Sequence, residues 1–252
     1  MSARPRVGLF VTCLVDLMRP GVGFAALKLL EQAGCDVEVP ATQTCCGQPA
    51  RNSGADRDTA AIARQVIDAF DGFDHVVAPS GSCAGMIRVH YPEALAGDAA
   101  YEPRARALAA KTYELVQFLV NIRGMTRVTA SSSGRVCYHD SCSALRELRI
   151  KQEPRRLLAS IEAVELRELK EPEVCCGFGG LFSVKYPEIS ERMADDKIAD
   201  AQATGADLIT SADLGCLLHL AGRVARRGLP LRVRHITEIL TGETDMPAMG
   251  GE

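Results

Sequence analysis

QTCCGQPA (Gln43–Ala50) and EVCCGFGG (Glu173–Gly180) each place two adjacent cysteines before a glycine. Each trio is flanked by one upstream and one downstream cysteine at nearly equal separations: Cys13 and Cys83 for the first trio, Cys142 and Cys216 for the second. Self-similarity at this spacing indicates two copies of one structural unit. Eight of the ten cysteines belong to the pattern, and Cys35 and Cys137 do not.

The segments between these cysteines alternate between strand and helix patterns. In the first copy, Arg6–Cys13 and His75–Ser80 are apolar and strand-like, and each leads directly to a cysteine of the pattern. Gly23–Gly34 and Arg57–Phe70 have helical periodicity. The second copy repeats the order from Arg135 onward. The fold class predicted is therefore α/β, with two pseudo-symmetric repeats, each a small parallel sheet with flanking helices.

The domain boundary is predicted near residue 130, with a first domain over 1–130 and a second over 131–252. Met125–Gly134 is rich in serine and threonine, as linkers are. The preceding stretch, Ala99–Arg123, is expected to be a helical spacer.

Parallel strands with helical crossovers bring all strand C-termini to one edge of a sheet, where open α/β sheets bind ligands. The cysteines follow strands, so the thiols are expected to converge as two quartets. These are Cys13, Cys45, Cys46 and Cys83 in the first copy, and Cys142, Cys175, Cys176 and Cys216 in the second. Four thiolates suit zinc or an iron–sulfur cluster. Buried structural thiols are the alternative; they explain an isolated Cys35 better than a duplicated spacing.

Two features are expected to support the thiolates. Gly47 and Gly177 permit the bend that both members of a cysteine pair need to reach one centre. Cys83 and Cys216 stand where helices are expected to start, and the helix dipole there favours thiolate.

Net charge and hydropathy exclude some classes of partner and indicate a compartment. A net charge of -3 shows no basic excess, so nucleic acid is not the expected partner. No apolar run approaches the roughly 20 residues that a membrane span needs. Met1–Arg6 lacks the features of a signal peptide, which makes the cytoplasm the expected compartment. In a reducing compartment, a cysteine pattern is more often metal-binding or catalytic than disulfide-forming.

Several stretches resemble a known family. The duplicated spacing of a single cysteine, a CCG trio and a further cysteine resembles the cysteine-rich CCG domain, and it lies within stretches such as LFVTCLVDLMRPGVG, TCCGQPARNSG, YHDSCSALREL and CCGFGGLFSVKYPEIS. That domain occurs in one of the subunits of heterodisulfide reductase and in the iron–sulfur subunit of glycolate oxidase. The paired motifs most resemble the lactate utilization protein A family, from about Arg6 to Leu240.

The resemblance implies an iron–sulfur redox subunit that transfers electrons during oxidation of L-lactate to pyruvate. Such a chain is a subunit of an oxidoreductase complex of the L-lactate dehydrogenase type, not a complete enzyme. It would act with two further lactate-utilization iron–sulfur proteins and would meet the hydroxy acid only indirectly. In relatives, CCG motifs hold [4Fe–4S] clusters, some of them noncubane, and one motif can hold zinc instead. Two alternatives stay open: a structural zinc scaffold, and a thiol–disulfide reductase subunit of the heterodisulfide type.

The chain departs from the fullest form of the family motif, which ends in CxxC. Ser80 and Asp213 stand where the first cysteine of that pair is expected. A five-cysteine noncubane cluster therefore lacks one ligand in each half. Either the cluster type differs, or Ser80 or Asp213 supplies an oxygen ligand; Cys137 is a weaker candidate because it lies within a strand.

Other polar residues lie near the expected centres. His139 and Asp140 follow the first strand of the second copy. His139 is a candidate to donate a hydrogen bond to a ligand sulfur or a substrate carboxylate. It is grouped with Gly47 and Gly177 as a residue that supports the ligands without binding the metal. An ordinary backbone-bonded histidine is the alternative. Lys185 and Arg51 are candidates for contact with an anionic substrate, although an ordinary exposed cation is the favoured interpretation of each. His219 is expected to pack on its helix.

Overall fold

The structure is a computed structural model that describes residues 4–243 and 246–250. The chain divides into two compact units, the first ending at Arg123 and the second beginning at Gly124. This division lies just before the Met125–Gly134 segment. Of Met1–Arg6, the stretch on which the signal-peptide prediction depends, residues 1–3 lie outside the described part of the chain.

The first unit is a four-stranded sheet of parallel strands with helices around it. Its strands are β1 (Arg6–Leu9), β2 (Asp36–Glu38), β3 (His75–Ala78) and β4 (Thr112–Glu114), in the order β2-β1-β3-β4. Its helices are α1 (Cys13–Met18), α2 (Gly21–Gln32), α3 (Gln48–Asn52), α4 (Asp56–Phe70), α5 (Gly81–Gly85), α6 (Tyr91–Ala94), α7 (Glu102–Lys111) and α8 (Leu115–Gln117), with π-helical turns at Met86–His90 and Phe118–Ile122.

The second unit repeats this plan and adds one strand. Its strands are β5 (Gly134–Tyr138), β6 (Val164–Arg167), β7 (Leu208–Ser211), β8 (Arg232–His235) and β9 (Met249–Gly250), in the order β6-β5-β7-β8-β9. All pairings are parallel except that of β9 with β8. Its helices are α9 (Cys142–Arg146), α10 (Gln152–Ala159), α11 (Leu181–Lys185), α12 (Pro187–Ala203), α13 (Leu214–Arg226) and α14 (Ile236–Thr241).

The predicted α/β fold with two repeated parallel sheets is confirmed. The first three strands of each unit pair in the same order, with the earliest strand in the middle. Within the residues that the structure describes, none of the helices is both long and apolar enough to cross a membrane.

The prediction of a wholly helical spacer over Ala99–Arg123 is wrong. It contains β4, which pairs with β3 through Val76 and Thr112 and closes one side of the first sheet. Three residues are too few to show the alternation by which a strand is recognised. Its last residue, Glu114, is buried and accepts a hydrogen bond from the backbone N–H of Gln117, so it acts as the N-cap of α8.

Helices α4 and α12, each the second helix after its trio, correspond residue by residue at a constant offset in residue number. The buried face of α4 carries Thr59, Ala63, Val66, Ile67 and Phe70. The buried face of α12 carries Ser190, Ala194, Lys197, Ile198 and Ala201 in the same positions. A buried lysine therefore replaces Val66, and an alanine replaces Phe70.

At one pair of contacting positions, the larger side chain is on the helix in the first unit and on the strand in the second. In β1, a Cβ on Gly8 would lie 2.7 Å from Cδ1 of Phe70, so the Phe70 ring occupies that space. The corresponding strand residue in β5 is Cys137, and the corresponding helix residue is Ala201; both are fully buried. We infer that the thiol of Cys137 fills the space that a phenylalanine fills in the first unit.

Candidate metal centres

The first quartet assembles at the C-terminal ends of β1 and β3. Cys13 is the first residue of α1, Cys83 is the third residue of α5, and the cysteine pair precedes α3. The Sγ atoms of Cys13 and Cys45 are 3.8 Å apart, and Cys46 hydrogen-bonds with both Cys45 and Cys83. Ser80, a candidate oxygen ligand, accepts a hydrogen bond from the backbone N–H of Cys83 as the N-cap of α5. Four thiols distant in sequence thus form one contiguous group.

The second quartet repeats this arrangement. Cys142 is the first residue of α9, Cys216 is the third residue of α13, and the second pair precedes α11. Cys175 hydrogen-bonds with Cys142 and Cys176, and Cys176 also hydrogen-bonds with Cys216. In both quartets the flanking upstream cysteine and the first member of the pair are partly exposed, whereas the other two thiols are buried.

Crowding leaves each quartet with one well-stabilised thiolate. Hydrogen bonds from Cys13 and then Cys46 lower the pKa of Cys45 to about 2, and the N–H of Gly47 also points at its sulfur, at 3.5 Å. The hydrogen bond to Cys45 raises the pKa of the Cys13 thiol. Cys175 behaves like Cys45: bonds from Cys142 and Cys176 lower its pKa to about 2. Further thiolates would repel one another, and a bound cation removes that penalty.

Both trios bend at their glycine. Gly47 has φ of +82° and Gly177 has φ of +89°, in the left-handed region that glycine adopts without strain. In each unit a side-chain hydroxyl holds the bend by a hydrogen bond to a carbonyl of the trio, but the residue that donates it differs. In the first unit the hydroxyl of Tyr91 donates to the carbonyl of Cys46 at 2.9 Å; in the second, the hydroxyl of Ser190 donates to the carbonyl of Gly177 at 2.8 Å.

His139 lies against the second quartet. It is fully buried, and one ring nitrogen lies within 4.8 Å of the sulfurs of both Cys176 and Cys216. Its backbone N–H donates to the carbonyl of Thr210, but neither ring nitrogen has a hydrogen-bond partner within the described part of the chain. Burial, and then the charge of Lys197, lower the pKa of the imidazole to about 3. The ring is therefore neutral, the form that binds metals.

The remaining sequence candidates have structural partners or lie in solvent. Asp140 forms a two-pronged ion pair with Arg155, at 2.9 and 2.7 Å, which fixes the loop before Cys142. Arg51 pairs with Glu93 at 2.8 Å, and Lys185 is exposed at the end of α11. His219 places its Nε2 3.1 Å from the hydroxyl of Ser190.

Cys35, Cys137 and Asp213 are the remaining residues that the sequence analysis singled out. Cys35 and Cys137 are buried, and burial raises the pKa of Cys137 to about 12. Asp213 is buried at the start of α13. The hydrogen bond with Cys176 lowers the pKa of Cys216, but burial and then the charge of Asp213 raise it, and the pKa is raised overall. Among the described residues, the compact group His139, Cys176 and Cys216 has no counterpart in the first unit.

Two residues that lie beside the quartets were missed by sequence reasoning. Lys197 is 1% exposed, its ammonium donates to the carbonyl of Glu171, and it lies close enough to Cys176 to interact with that thiol. A lysine on the apolar face of α12 was the available signal. Tyr91 had no comparable signal, because a tyrosine after a helix pattern is ordinary.

Comparison with known proteins fits this geometry. A family model described as a cysteine-rich domain, CCG, matches residues 7–88 and 136–221, ranges that contain all eight quartet cysteines. Lactate utilization protein A of Geobacillus kaustophilus is 50% identical over 235 residues, covering 93% of this chain and 98% of that protein. The chain belongs to the lactate utilization protein A family.

Other members of the lactate utilization protein A family match equally well along the chain. The protein from Geobacillus thermodenitrificans is 49% identical, covering 93% of this chain and 98% of that protein. Among solved structures, glutamate racemase from Thermus thermophilus matches 94% of this chain and 77% of its own at 10% identity and a TM-score of 0.27. That likeness is too weak to carry an argument.

The donor set suits a soft metal or an iron–sulfur cluster. Each quartet offers four thiols, one already ionised, with a backbone N–H aimed at the ionised sulfur. The buried His139 ring has nitrogens that lack partners among the described residues. Both observations are expected of residues arranged around a cation, which supplies the missing charge and the missing partner.

Proposed function

We propose that this protein is an iron–sulfur redox subunit of an L-lactate-oxidising system. Each unit holds one cluster, a [4Fe–4S] cluster being the form we infer, on its cysteine quartet. The observation that carries the proposal is the pair of matching quartets, each with a single stabilised thiolate among crowded thiols. The family relation links this chemistry to lactate, because relatives nearly 50% identical over almost their full length are named lactate utilization proteins.

The chain's own residues supply ligands and a controlled environment. Iron–sulfur clusters, when bound, take up and release single electrons. Cys45 and Cys175 accept backbone N–H bonds from Gly47 and Gly177, which favour the negative charge of a thiolate centre. Cys46 and Cys176 are 4% and 1% exposed, so their side of each centre is shielded from water. The partly exposed cysteines face outward, where an electron partner can approach.

The proposal includes partners and a compartment. Two further lactate-utilization iron–sulfur proteins would complete the system, and the hydroxy acid would be oxidised on a partner rather than on this chain. The ten free cysteines fit a reducing compartment such as the cytoplasm.

Metal analysis of anaerobically purified protein tests the proposal. We expect iron and acid-labile sulfide in the wild type, and loss of about half of each in Cys46→Ser and in Cys176→Ser. Cys35→Ser is the matched control, because Cys35 is a buried thiol outside both quartets, and it should keep the full content. Reduction of the clusters by lactate only when the partner proteins are present would support the electron-transfer role.

Structural zinc is the second candidate, and the distance between the sulfurs of Cys13 and Cys45 favours it. Two sulfurs on a tetrahedral zinc ion with bonds of about 2.3 Å are about 3.8 Å apart. The Sγ atoms of Cys13 and Cys45 have this separation. Zinc without iron or sulfide in the same analysis would replace the redox proposal with a scaffold, and protein without any metal would refute both.

A further inference from the structure

One difference between the two units lies beside the quartets, in the ring that precedes the first cysteine. Phe10 and His139 each stand three residues before the first cysteine of their quartet. The backbone N–H of Phe10 donates to the carbonyl of Val77 at 2.8 Å, and that of His139 donates to the carbonyl of Thr210 at the same distance. Both side chains are fully buried. The two residues thus share a backbone hydrogen bond and full burial, but they carry different rings.

A ring that merely filled space would be better as phenylalanine. Burying a polar ring with unbonded nitrogens is unfavourable, and the corresponding buried ring in the first unit is a phenylalanine. Both nitrogens of His139 lack hydrogen-bond partners among the described residues. A second observation indicates what satisfies one of them: a ring nitrogen and the sulfurs of Cys176 and Cys216 lie within 4.8 Å of one another.

This separation suits three groups that share a metal atom. Ligands bound to one metal at about 2.0–2.3 Å lie within a few ångströms of each other without bonding to one another. The nitrogen of His139 is close to both sulfurs, yet it forms a hydrogen bond with neither. A metal atom between them would satisfy the nitrogen lone pair and the two thiolates together.

We propose that a ring nitrogen of His139 is a direct ligand of the metal centre in the second unit. That centre is then a mixed nitrogen–sulfur site, whereas the centre of the first unit is bound by sulfur. The inference rests on the proposed function, since it assumes that the second quartet binds a metal or a cluster. Compared with the fifth thiolate that the fullest form of the family motif would supply, a neutral nitrogen lowers the negative charge of the site, and histidine ligation raises the potential of iron–sulfur centres.

X-ray absorption at the edge of the bound metal tests the ligand directly. The full chain carrying Cys46→Ser and Cys83→Ser leaves only the second centre to report. We expect a nitrogen scatterer at about 2.0–2.1 Å if the metal is zinc, or nitrogen at a comparable bond length if it is iron. His139→Phe, which installs the residue of the first unit, should remove that scatterer, and His219→Gln should keep it.

A second variant covers the case in which His139→Phe does not fold, judged by circular dichroism. His139→Cys offers a sulfur ligand instead and should keep the metal while losing the nitrogen. Two results would overturn the inference and leave the proposed function standing. One is a spectrum with sulfur scatterers alone in the chain that keeps His139, and the other is a nitrogen scatterer that persists in folded His139→Phe or His139→Cys. A second quartet without metal in the wild-type chain overturns the inference, and both quartets without metal overturn the proposed function as well.

Discussion

The sulfur of Cys13 lies 3.8 Å from the sulfur of Cys45 and donates a hydrogen bond to it. Two helices and a strand separate these residues along the chain. The contact exists because parallel strands deliver their C-terminal ends to one edge, and the bend at Gly47 turns Cys45 back toward that edge. Its chemical consequence is a thiolate at Cys45 and a proton held on Cys13.

Thiol labelling of the reduced, metal-free protein should reveal this thiolate. At pH 6 we expect iodoacetamide to modify Cys45 and Cys175 first, because both are partly exposed and have a pKa of about 2. Cys35 should react much more slowly, since it is 2% exposed and burial raises its pKa. Peptide mass spectrometry gives the order. Equal rates at Cys35 and Cys45 in the native protein would contradict the assignment, whereas equal rates are expected after denaturation.

The two trio glycines should differ in their tolerance of alanine. Both need positive φ, which costs an alanine about 1–3 kcal/mol. A Cβ on Gly177 would also lie 2.6 Å from the carbonyl oxygen of Ser190, whereas a Cβ on Gly47 would meet Cγ2 of Ile62 at 3.2 Å. We expect Gly177→Ala to lose more stability than Gly47→Ala in urea denaturation of metal-free protein. An equal loss would mean that the Ser190 carbonyl moves away at little cost.

The ion pair between Asp140 and Arg155 should be essential to the second unit. The side chain of Asp140 is 1% exposed, so Arg155→Met leaves a buried charge without its partner. We expect a loss of about 3–5 kcal/mol in unfolding free energy, partly recovered by Arg155→Met combined with Asp140→Leu. The control is Arg192→Met, which breaks the exposed pair with Asp196 and should cost no more than about 0.5 kcal/mol. Equal effects of the two single changes would refute the argument from burial.

Cys137 and Ala201 should behave as a coupled packing pair. Ala201→Phe alone overfills the core and should cost about 1–3 kcal/mol. Combined with Cys137→Gly, it recreates the Gly8 and Phe70 arrangement of the first unit. The double variant should therefore lose less unfolding free energy than the two single variants lose together. A double-mutant cycle measures this coupling. Strict additivity would show that the two side chains do not share one space.

Alkaline pH should destabilise the metal-free protein through Cys137. Burial raises the pKa of this thiol from 9.0 to about 12. Below pH 9 the thiol is protonated in both states, so its contribution to stability is fully present. Between pH 9 and 12 the unfolded chain releases the proton and the native chain keeps it, so stability falls as pH rises, by at most about 1.4 kcal/mol per pH unit.

Urea denaturation at pH 8 and pH 10.5 checks this expectation. Cys137→Ala should lose less stability between these two values than the wild type does. Asp196→Ala, an exposed change in the same unit, should leave the difference unchanged. An identical pH dependence in wild type and Cys137→Ala would contradict the effect of burial on this thiol.

The architecture was predictable wherever the sequence repeats or alternates over enough residues. The duplicated cysteine spacing and the long periodic helices indicated two parallel-sheet units before any coordinates. The strand Thr112–Glu114 was not predictable, because three residues carry too little pattern and only pairing with β3 makes them a strand. Glu114 was likewise indistinguishable in sequence from a residue of an exposed helix.

The amino-acid sequence by itself determined the class of fold, the family motifs and the eight thiols that form the two quartets, since these depend on residue type and spacing along the chain. Only the tertiary structure decided what surrounds each quartet. Phe10 and Val66 stand where His139 and Lys197 stand, but only the structure shows that His139 and Lys197 are buried beside the second quartet. The physical reason is that burial, hydrogen-bond satisfaction and charge depend on neighbours from distant segments, which a linear pattern does not specify.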